Sequence, residues 1–572
     1  MVNPHPETIL FVGAGATQAL AMPPTSEEAK FLWNACDGEP LTAKNIEESV
    51  TSFRGYGDAV ALMVFVLDGG ADGNKSVDWE DDRWEKAFPG LAMGDVEKLV
   101  RNLRRHYDCG ALKLIAKAKK GNSREKKSRD DYLQEVFTLM DVGIRDGRGF
   151  EVDVNGEMVF LPLERIKAAY ETLILLINTM FACAWQKLIN EDWGQKLLTP
   201  YRKFFHSLAL FMQKEASKFE SQGCAFNKRE FYQFSYSLVT TNFEPLFLWF
   251  IWKAHDKVNN HAVQVRLGNP GRVLKLLMNF PNSVGMRKPA DKDETLSPDI
   301  WFPCTEAVAQ NMNNPKYTDN RIFRLGKYFP VHGMSVTRHC PKCGRLNLYM
   351  GDTWDENSMT LFPNGIIAPF KWGQQPRTNQ EKAAHKRGEY DALECHFCGA
   401  LTHSYDNFML MQTQLKQQPP SFIREATDEV LADITHAKHI VLLGYSLPLD
   451  DAIWGSLLSM MSRRKNGERL YCSVVATYDE DGPDGWLYGK ELDDYLESNG
   501  KLVEDREKVR AINNAIAVFG RENVRAYVQG IPDVFGKGTE EDVRKLLYPY
   551  DQPGWKISEF TTSGVVREMS MR

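Results

Sequence analysis

The sequence predicts an α/β protein: a parallel, doubly wound sheet interrupted by a large helical insertion and joined to a small lobe built on cysteines. Three observations predict it. Short apolar runs alternate with helical patterns near the start of the chain and again after residue 235, as strand–helix–strand units do. The stretch between about 55 and 235 is mostly helical in pattern, and two C-x-x-C pairs fall between Cys340 and Cys398.

At 572 residues the chain exceeds what one core usually supports, so two or three lobes are expected. An apolar fraction of 43% with 26% charged residues is ordinary globular composition. A net charge of −6 argues against direct nucleic-acid binding as the main role. The ten cysteines do not form the dense framework of a secreted disulfide scaffold. "MVNPHPETIL" lacks the charged and apolar regions of a signal peptide. The expectation is a cytoplasmic protein with no membrane partner.

Taken in order, "TILFV" reads as a strand running into the glycine turn "GAGAT", and a helix begins near Ser26. "FEVDVNGEMVFLPLE" reads as a hairpin, since Asn155-Gly156 is a strong two-residue turn signal between alternating apolar positions. "TLILLINTMFACAW" (172–185) is apolar but shorter than a membrane span and broken by Asn178 and Thr179, so it reads as a buried helix. Lys113–Arg129 holds eight basic residues against one Glu. A solvated helix end outweighs an anion or nucleic-acid contact there. "FSYSLVTTNFE", "KHIVLLGYSL", "RLYCSVVATYDED" and "NVRAYVQGIPDVF" each contain a strand, and "KQQPPS" is a connector. In such sheets ligands sit beyond the strand C-termini, which draws attention to Gly13–Thr17, Thr240–Glu244, Gly444–Ser446 and Thr477–Asp479.

Glycines at 13 and 15 let backbone N–H groups approach an anion, and Thr17 adds a hydroxyl. A tight strand-to-helix turn with no ligand explains the same residues equally well. Cys340 and Cys343, then Cys395 and Cys398, form two pairs each followed by Gly, and four thiolates complete a tetrahedral structural Zn²⁺ site. His339, His396 and His403 are alternative ligands nearby, and the 51 residues between the pairs require an insertion.

The order "GAGAT", "TTNFE", "FPVHGM", two C-x-x-C-G knuckles and "LLGYSL" resembles the sirtuins, which are NAD-consuming enzymes with a Rossmann-type sheet lobe and a small zinc-ribbon lobe. The resemblance implies that Gly13, Ala14, Gly15 and Thr17 hold the NAD diphosphate. It implies that Asn242 serves the nicotinamide ribose with Thr241 and Glu244 beside it, and that His332 is the general base. Gly444, Tyr445 and Ser446 would then lie near the adenosine half. It also implies a division into lobes. Residues 1–54, 236–339 and 401–535 make the Rossmann lobe, with the catalytic strands in 236–339. Residues 55–235 are a mainly helical insertion, 340–400 the zinc-knuckle lobe and 536–572 a C-terminal tail.

The sequence departs from the deacylating members. Only Met22-Pro23 remains of the loop after the glycine turn, "TTNFE" replaces T-Q-N-I-D, and "LTHSYDNFMLMQ" stands where those enzymes carry a peptide-pairing F-G-E strand. The wording "GYSLPLDD" is similar to the sirtuin-like NAD hydrolases of bacterial anti-phage defence. The resemblance therefore implies an NAD glycohydrolase effector, a homo-oligomer, and a partner defence protein such as an ATPase. The alternative is an NAD-dependent protein deacylase or an ADP-ribosyl transferase.

The chemistry is consistent with few residues. Nicotinamide leaves as a neutral molecule and needs no acid, so a site must grip the diphosphate, orient the ribose and place a nucleophile. Asn242 can hold a hydroxyl and a water, and His332 can take a proton. By residue type alone, Asn242 could equally be a helix N-cap, and His332 more often an ordinary buried histidine. Asp450 and Asp451 read as caps of the following helix.

Overall fold

The computed structural model describes residues 6–35, 42–68, 92–122, 129–221, 236–260, 273–279, 284–286, 321–349, 375–410, 420–448, 452–462, 470–476, 478–500 and 506–549. Thr477, Asp450 and Asp451, singled out from the sequence, lie outside them.

Every residue of the first strand, β1 (Thr8–Val12), is buried. Its alternate side chains feed two different cores. Ile9 and Phe11 pack with one cluster, and Leu10 and Val12 with the other. A strand apolar at nearly every position is what a sheet covered on both faces demands. The next two strands, β2 (Phe150–Val154) and β3 (Glu157–Leu161), form the expected hairpin. Asn155 and Gly156 take positive φ angles of 58° and 89° at its tip, as a two-residue turn of this hand requires.

The remaining strands are β4 (Ser237–Thr240), β5 (Val273–Asn279), β6 (Val284–Met286), β7 (Arg321–Pro330), β8 (Gly333–His339) and β9 (Leu346–Leu348). They are followed by β10 (Leu393–Glu394), β11 (Leu401–Thr402), β12 (Asn407–Met409), β13 (His439–Leu443), β14 (Tyr471–Val475), β15 (Trp486–Leu487) and β16 (Val524–Tyr527). The main sheet has eight strands in the order β15-β16-β14-β13-β1-β4-β7-β5. All its pairings are parallel except that of β15 with β16. The chain builds one side from β1 outward through β4, β7 and β5, then returns to the other side of β1 with β13, β14 and β16. The reversal falls between β1 and β13, and a crevice at such a reversal is where open α/β sheets bind ligands.

Helices cover both faces. On one, helices Ser421–His436, Ala452–Ser462 and Arg506–Phe519 supply Val430, Ile434, Trp454, Leu458, Ile512 and Ala515 to the core. A buried ion pair, Lys327 to Asp433 at 2.6 Å, joins β7 to the first of these. On the other face lies the insertion, whose described residues are mainly helical. Its centre is helix Leu163–Asn190. That helix is long and apolar enough to cross a membrane, yet 89% of its apolar window is buried inside the protein, so it is a core helix here. Part of the basic stretch is spent internally: Lys113 pairs with Asp68 at 3.2 Å, and Lys120 lies 4.5 Å over the Trp33 ring.

Two boundaries differ from the sequence reading. The small lobe reaches past 340–400, because its four-stranded sheet, β12-β8-β9-β6, takes strands from 284–286, 333–339 and 407–409. The segment expected as a tail carries helix Glu540–Leu547, whose buried Val543, Leu546 and Leu547 join the core. Arg525 donates to Lys545 O at 2.7 Å and seats this helix against the sheet. Its amphipathic spacing is visible in the sequence; the surface that receives it is not.

Candidate functional site

The glycine turn and the turn after β13 are packed backbone against backbone. Gly13 N donates to Leu443 O at 3.0 Å and Gly15 N to Gly444 O at 3.1 Å. A Cβ on Gly13 would sit 2.6 Å from Gly444 O, and one on Gly444, at φ +62°, would overlap the Ala16 nitrogen. The glycines are therefore required for close approach of two chain segments. Their N–H groups are engaged by the end of β13 and the residue after it, which differs from the anion-facing arrangement expected from the sequence. Ala14 is the exposed residue of the turn, and Gly15–Gln18 form one short helical turn after it. A side chain of the insertion holds this turn from behind: Tyr201 Oη donates to Ala16 O at 2.7 Å.

Asn242 and His332 leave the ends of neighbouring strands. In the parallel pair β4·β7, Thr240 stands opposite Pro330. Asn242 and His332 each lie two residues further on. The two segments stay joined beyond the sheet, with Val331 N donating to Thr240 O at 3.1 Å and Ser335 N to Phe243 O at 2.7 Å. The ring of Phe243 lies 6.4 Å from that of His332. The His332 carbonyl accepts from Leu410 N at 2.7 Å, and Gly333, at φ +76°, lets the chain pass the Phe408 backbone. Asn242 is not a helix N-cap, since the following helix begins at Leu246.

Around Asn242 a small polar cluster is buried at the rim. Asn242 and Glu244 are each 4% exposed and Thr17 is 2% exposed. The Asn242 amide donates from Nδ2 to Glu244 Oε1 at 2.9 Å and to Thr17 Oγ1 at 3.3 Å. Its Oδ1 is buried and has no hydrogen-bond partner. An unpaired buried acceptor costs about 1–3 kcal/mol, so a donor from outside this cluster, a water or a ligand group, would stabilise it. Burial pushes the Glu244 carboxyl up to about 7, against hydrogen bonds from its own backbone N–H, Asn242 and Thr17. Burial also raises the Tyr328 phenol well above its ordinary value, and the neighbouring Glu244 adds to that.

The other sequence-marked residues fall around this cluster. Thr241 N donates to Val12 O at 3.0 Å, tying the Asn242 loop to the end of β1. The Tyr445 ring faces the core, stacked 6.0 Å from Phe11. Ser446 offers its carbonyl to Asn514 Nδ2 at 2.9 Å. A cavity of about 630 Å3 lies further along the rim, beyond β14. Asp479, Asp481, Asp484, Glu491 and Asp494 line it. Five carboxylates repel a diphosphate, so this cavity is the wrong place for a dinucleotide's phosphates.

In the small lobe the four cysteines converge. The Sγ atoms of Cys340, Cys343, Cys395 and Cys398 all lie within 4.8 Å of one another, a four-thiol group able to hold a metal such as zinc. Each pair is a tight knuckle. Gly344 N returns to Cys340 O at 2.9 Å and Gly399 N to Cys395 O at 3.0 Å, with both glycines at φ +70°. Asn347 braces the group from outside, with Nδ2 3.4 Å from Cys395 Sγ and Oδ1 accepting from His396 N at 2.8 Å. His403 is turned elsewhere: its Nε2 lies 3.1 Å from Glu389, and its ring stacks on Tyr405. The insertion between the knuckles includes helix Asn379–Lys386, closed by a Thr378–Glu381 capping box.

The helical insertion touches both regions. Besides Tyr201 at the glycine turn, Tyr107 shares a 2.6 Å hydrogen bond with Ser404, and His106 stacks 3.9 Å from Tyr405. No sequence motif marked these contacts, because an aromatic residue in a helix reads as core whichever surface it meets. No family model and no curated protein matches the chain.

Proposed function

We propose that the protein is an NAD glycohydrolase, cleaving NAD to nicotinamide and ADP-ribose, with the Thr17–Asn242–Glu244 cluster and His332 forming its active site. The observation that carries this reading is the buried, unpaired Oδ1 of Asn242. It lies where β1 and β4 end, next to the crevice between β1 and β13. A ribose hydroxyl or a water is the donor such an acceptor needs.

On this reading the diphosphate lies along the exposed Ala14 edge of the glycine turn, with Gly13, Gly15 and Thr17 shaping it, and the adenosine half runs toward Gly444–Ser446. The bond from C1′ of the ribose to the nicotinamide nitrogen breaks. Its electron pair leaves with the neutral ring, and a water oxygen forms the new bond to C1′. The proton from that water passes to His332. The four-cysteine group holds a structural zinc, with all four positions filled by thiolates. The reading extends to an NAD-depleting effector of anti-phage defence that works as a homo-oligomer with a partner such as an ATPase; this part rests on the resemblance of the motifs alone.

The test is to incubate the purified full chain with NAD and follow nicotinamide and ADP-ribose, with and without an acetyl-lysine peptide. Release without peptide that is lost in Asn242→Ala and His332→Ala supports hydrolysis. Release that depends on the peptide overturns it in favour of deacylation.

A further inference from the structure

We propose that Glu244 is a positioning residue that sets the polarity Asn242 presents to its ligand, acceptor when Glu244 is ionised and donor when it is protonated. The proposal deepens the NAD glycohydrolase reading and rests on it for the identity of the ligand.

The argument is one of hydrogen-bond accounting. An asparagine amide has two donor protons on Nδ2 and an acceptor at Oδ1. Here both protons are taken, one by Glu244 Oε1 at 2.9 Å and one by Thr17 Oγ1 at 3.3 Å. The Thr17 hydroxyl has one proton, which goes either to Ala14 O at 3.3 Å or to the Glu244 carboxyl, and in both cases its oxygen accepts from the amide. An ionised Glu244 offers acceptors only, so it fixes the amide with Nδ2 inward and leaves Oδ1 as the group still to be satisfied. A ribose hydroxyl or the hydrolytic water can donate to that oxygen.

A protonated Glu244 has an O–H to give, and the amide can then turn by half a revolution. Oδ1 would accept from the carboxylic acid and Nδ2 would become the free edge. A site in that state repels a donor and suits an acceptor. The carboxyl can visit both states because burial lifts it toward neutrality, and Tyr328 of β7 is the titratable group that faces it. The side chains that hydrogen-bond it, Thr17 and Asn242, are neutral.

A polarity swap tests this in the full chain. Asn242→Asp sets two carboxylates against each other, and Glu244→Gln restores a donor between them with the roles exchanged. In thermal unfolding at pH 8, N242D is expected to lower the Tm by about 5 °C. The double variant N242D/E244Q should recover at least half of that loss, and also part of the kcat lost in N242D. Losses that simply add overturn the proposal. In steady-state NAD cleavage, Glu244→Leu is expected to lower kcat about 100-fold while KM moves less than about threefold. An unchanged kcat in that variant overturns it too. If E244L does not fold, the polarity swap still decides. If the wild-type chain releases no nicotinamide, the glycohydrolase reading is lost, and the thermal cycle still tells whether Glu244 and Asn242 are coupled as described.

Discussion

The cysteine lobe and the rim of the parallel sheet both depend on glycine turns, yet they finish in different states. At the knuckles, Gly344 and Gly399 close tight turns that bring four sulfurs within 4.8 Å. The group is a closed set of four thiols able to hold a metal. At the rim, Gly13, Gly15 and Gly444 let two loops touch, and the loop after β4 sets a polar cluster beside them. That cluster keeps one oxygen of Asn242 unsatisfied. Four identical ligands suit a structural role, whereas a buried mixed set with one unpaired acceptor suits binding and chemistry.

Breaking the closed region should have the largest effect. Cys340→Ser with Cys398→Ser is expected to reduce metal content, read by elemental analysis, from about one zinc per chain to none. Loss of folding free energy on the order of 10 kcal/mol would follow if the metal contributes as it does in small zinc modules. Metal content unchanged from the wild type would remove the assignment of these cysteines as ligands.

Next comes a pair of glycine substitutions that sharpens the contrast. Gly444→Ala combines φ +62° with an overlap on the Ala16 backbone, whereas Gly399→Ala at φ +70° has open space around it. The first should cost about 4 kcal/mol and the second about 1 kcal/mol in urea unfolding. Equal costs would mean that the two loops are not in contact at the rim.

The pH dependence of stability separates Glu244 from the rest. Its carboxyl is held at about 7 in the fold against 4.5 ordinarily. Folding therefore favours its protonated form. The stability it contributes is full below pH 4.5 and is lost as pH rises toward 7, on the order of 3 kcal/mol in all. Buried His255 and His439 act in the opposite sense. Burial lowers both to about 3, so their contribution is lost as pH falls below 6.5. The difference between wild type and Glu244→Gln, measured by urea unfolding across this range, should isolate the first trend. A difference that stays flat with pH would mean the carboxyl is solvated.

The smallest effect concerns the insertion's hold on the glycine turn. Tyr201→Phe deletes the hydroxyl that reaches Ala16 O at 2.7 Å and should cost about 1–2 kcal/mol of stability. No change in urea unfolding would mean that the insertion packs beside the turn without bracing it.

Much of this was legible beforehand. β1 and β13 are five-residue, largely apolar runs ending at glycine, the Asn155-Gly156 tip announces its hairpin, and the cysteine spacing announces a knuckle pair. The segments carrying Asn242 and His332 were expected at strand ends and are found on adjacent strands in matching register. Other features gave no signal. Nothing in "TTNFE" shows that Glu244 bonds the Asn242 amide, or that Gly13 and Gly15 spend their N–H groups on the next loop. Tyr201 and His106 reach the rim and the small lobe from helices whose spacing records only that one face is covered, and Tyr107 does so from the residue that follows the second of them.

The dividing line is the range of the forces involved. Strand, turn and knuckle follow from steric and hydrophobic patterns among residues a few positions apart, so they can be read along the chain. The unpaired oxygen of Asn242, the lifted carboxyl of Glu244 and the meeting of three glycines depend on which distant segment excludes water from each. That is settled only when β1, β4, β7 and β13 lie side by side.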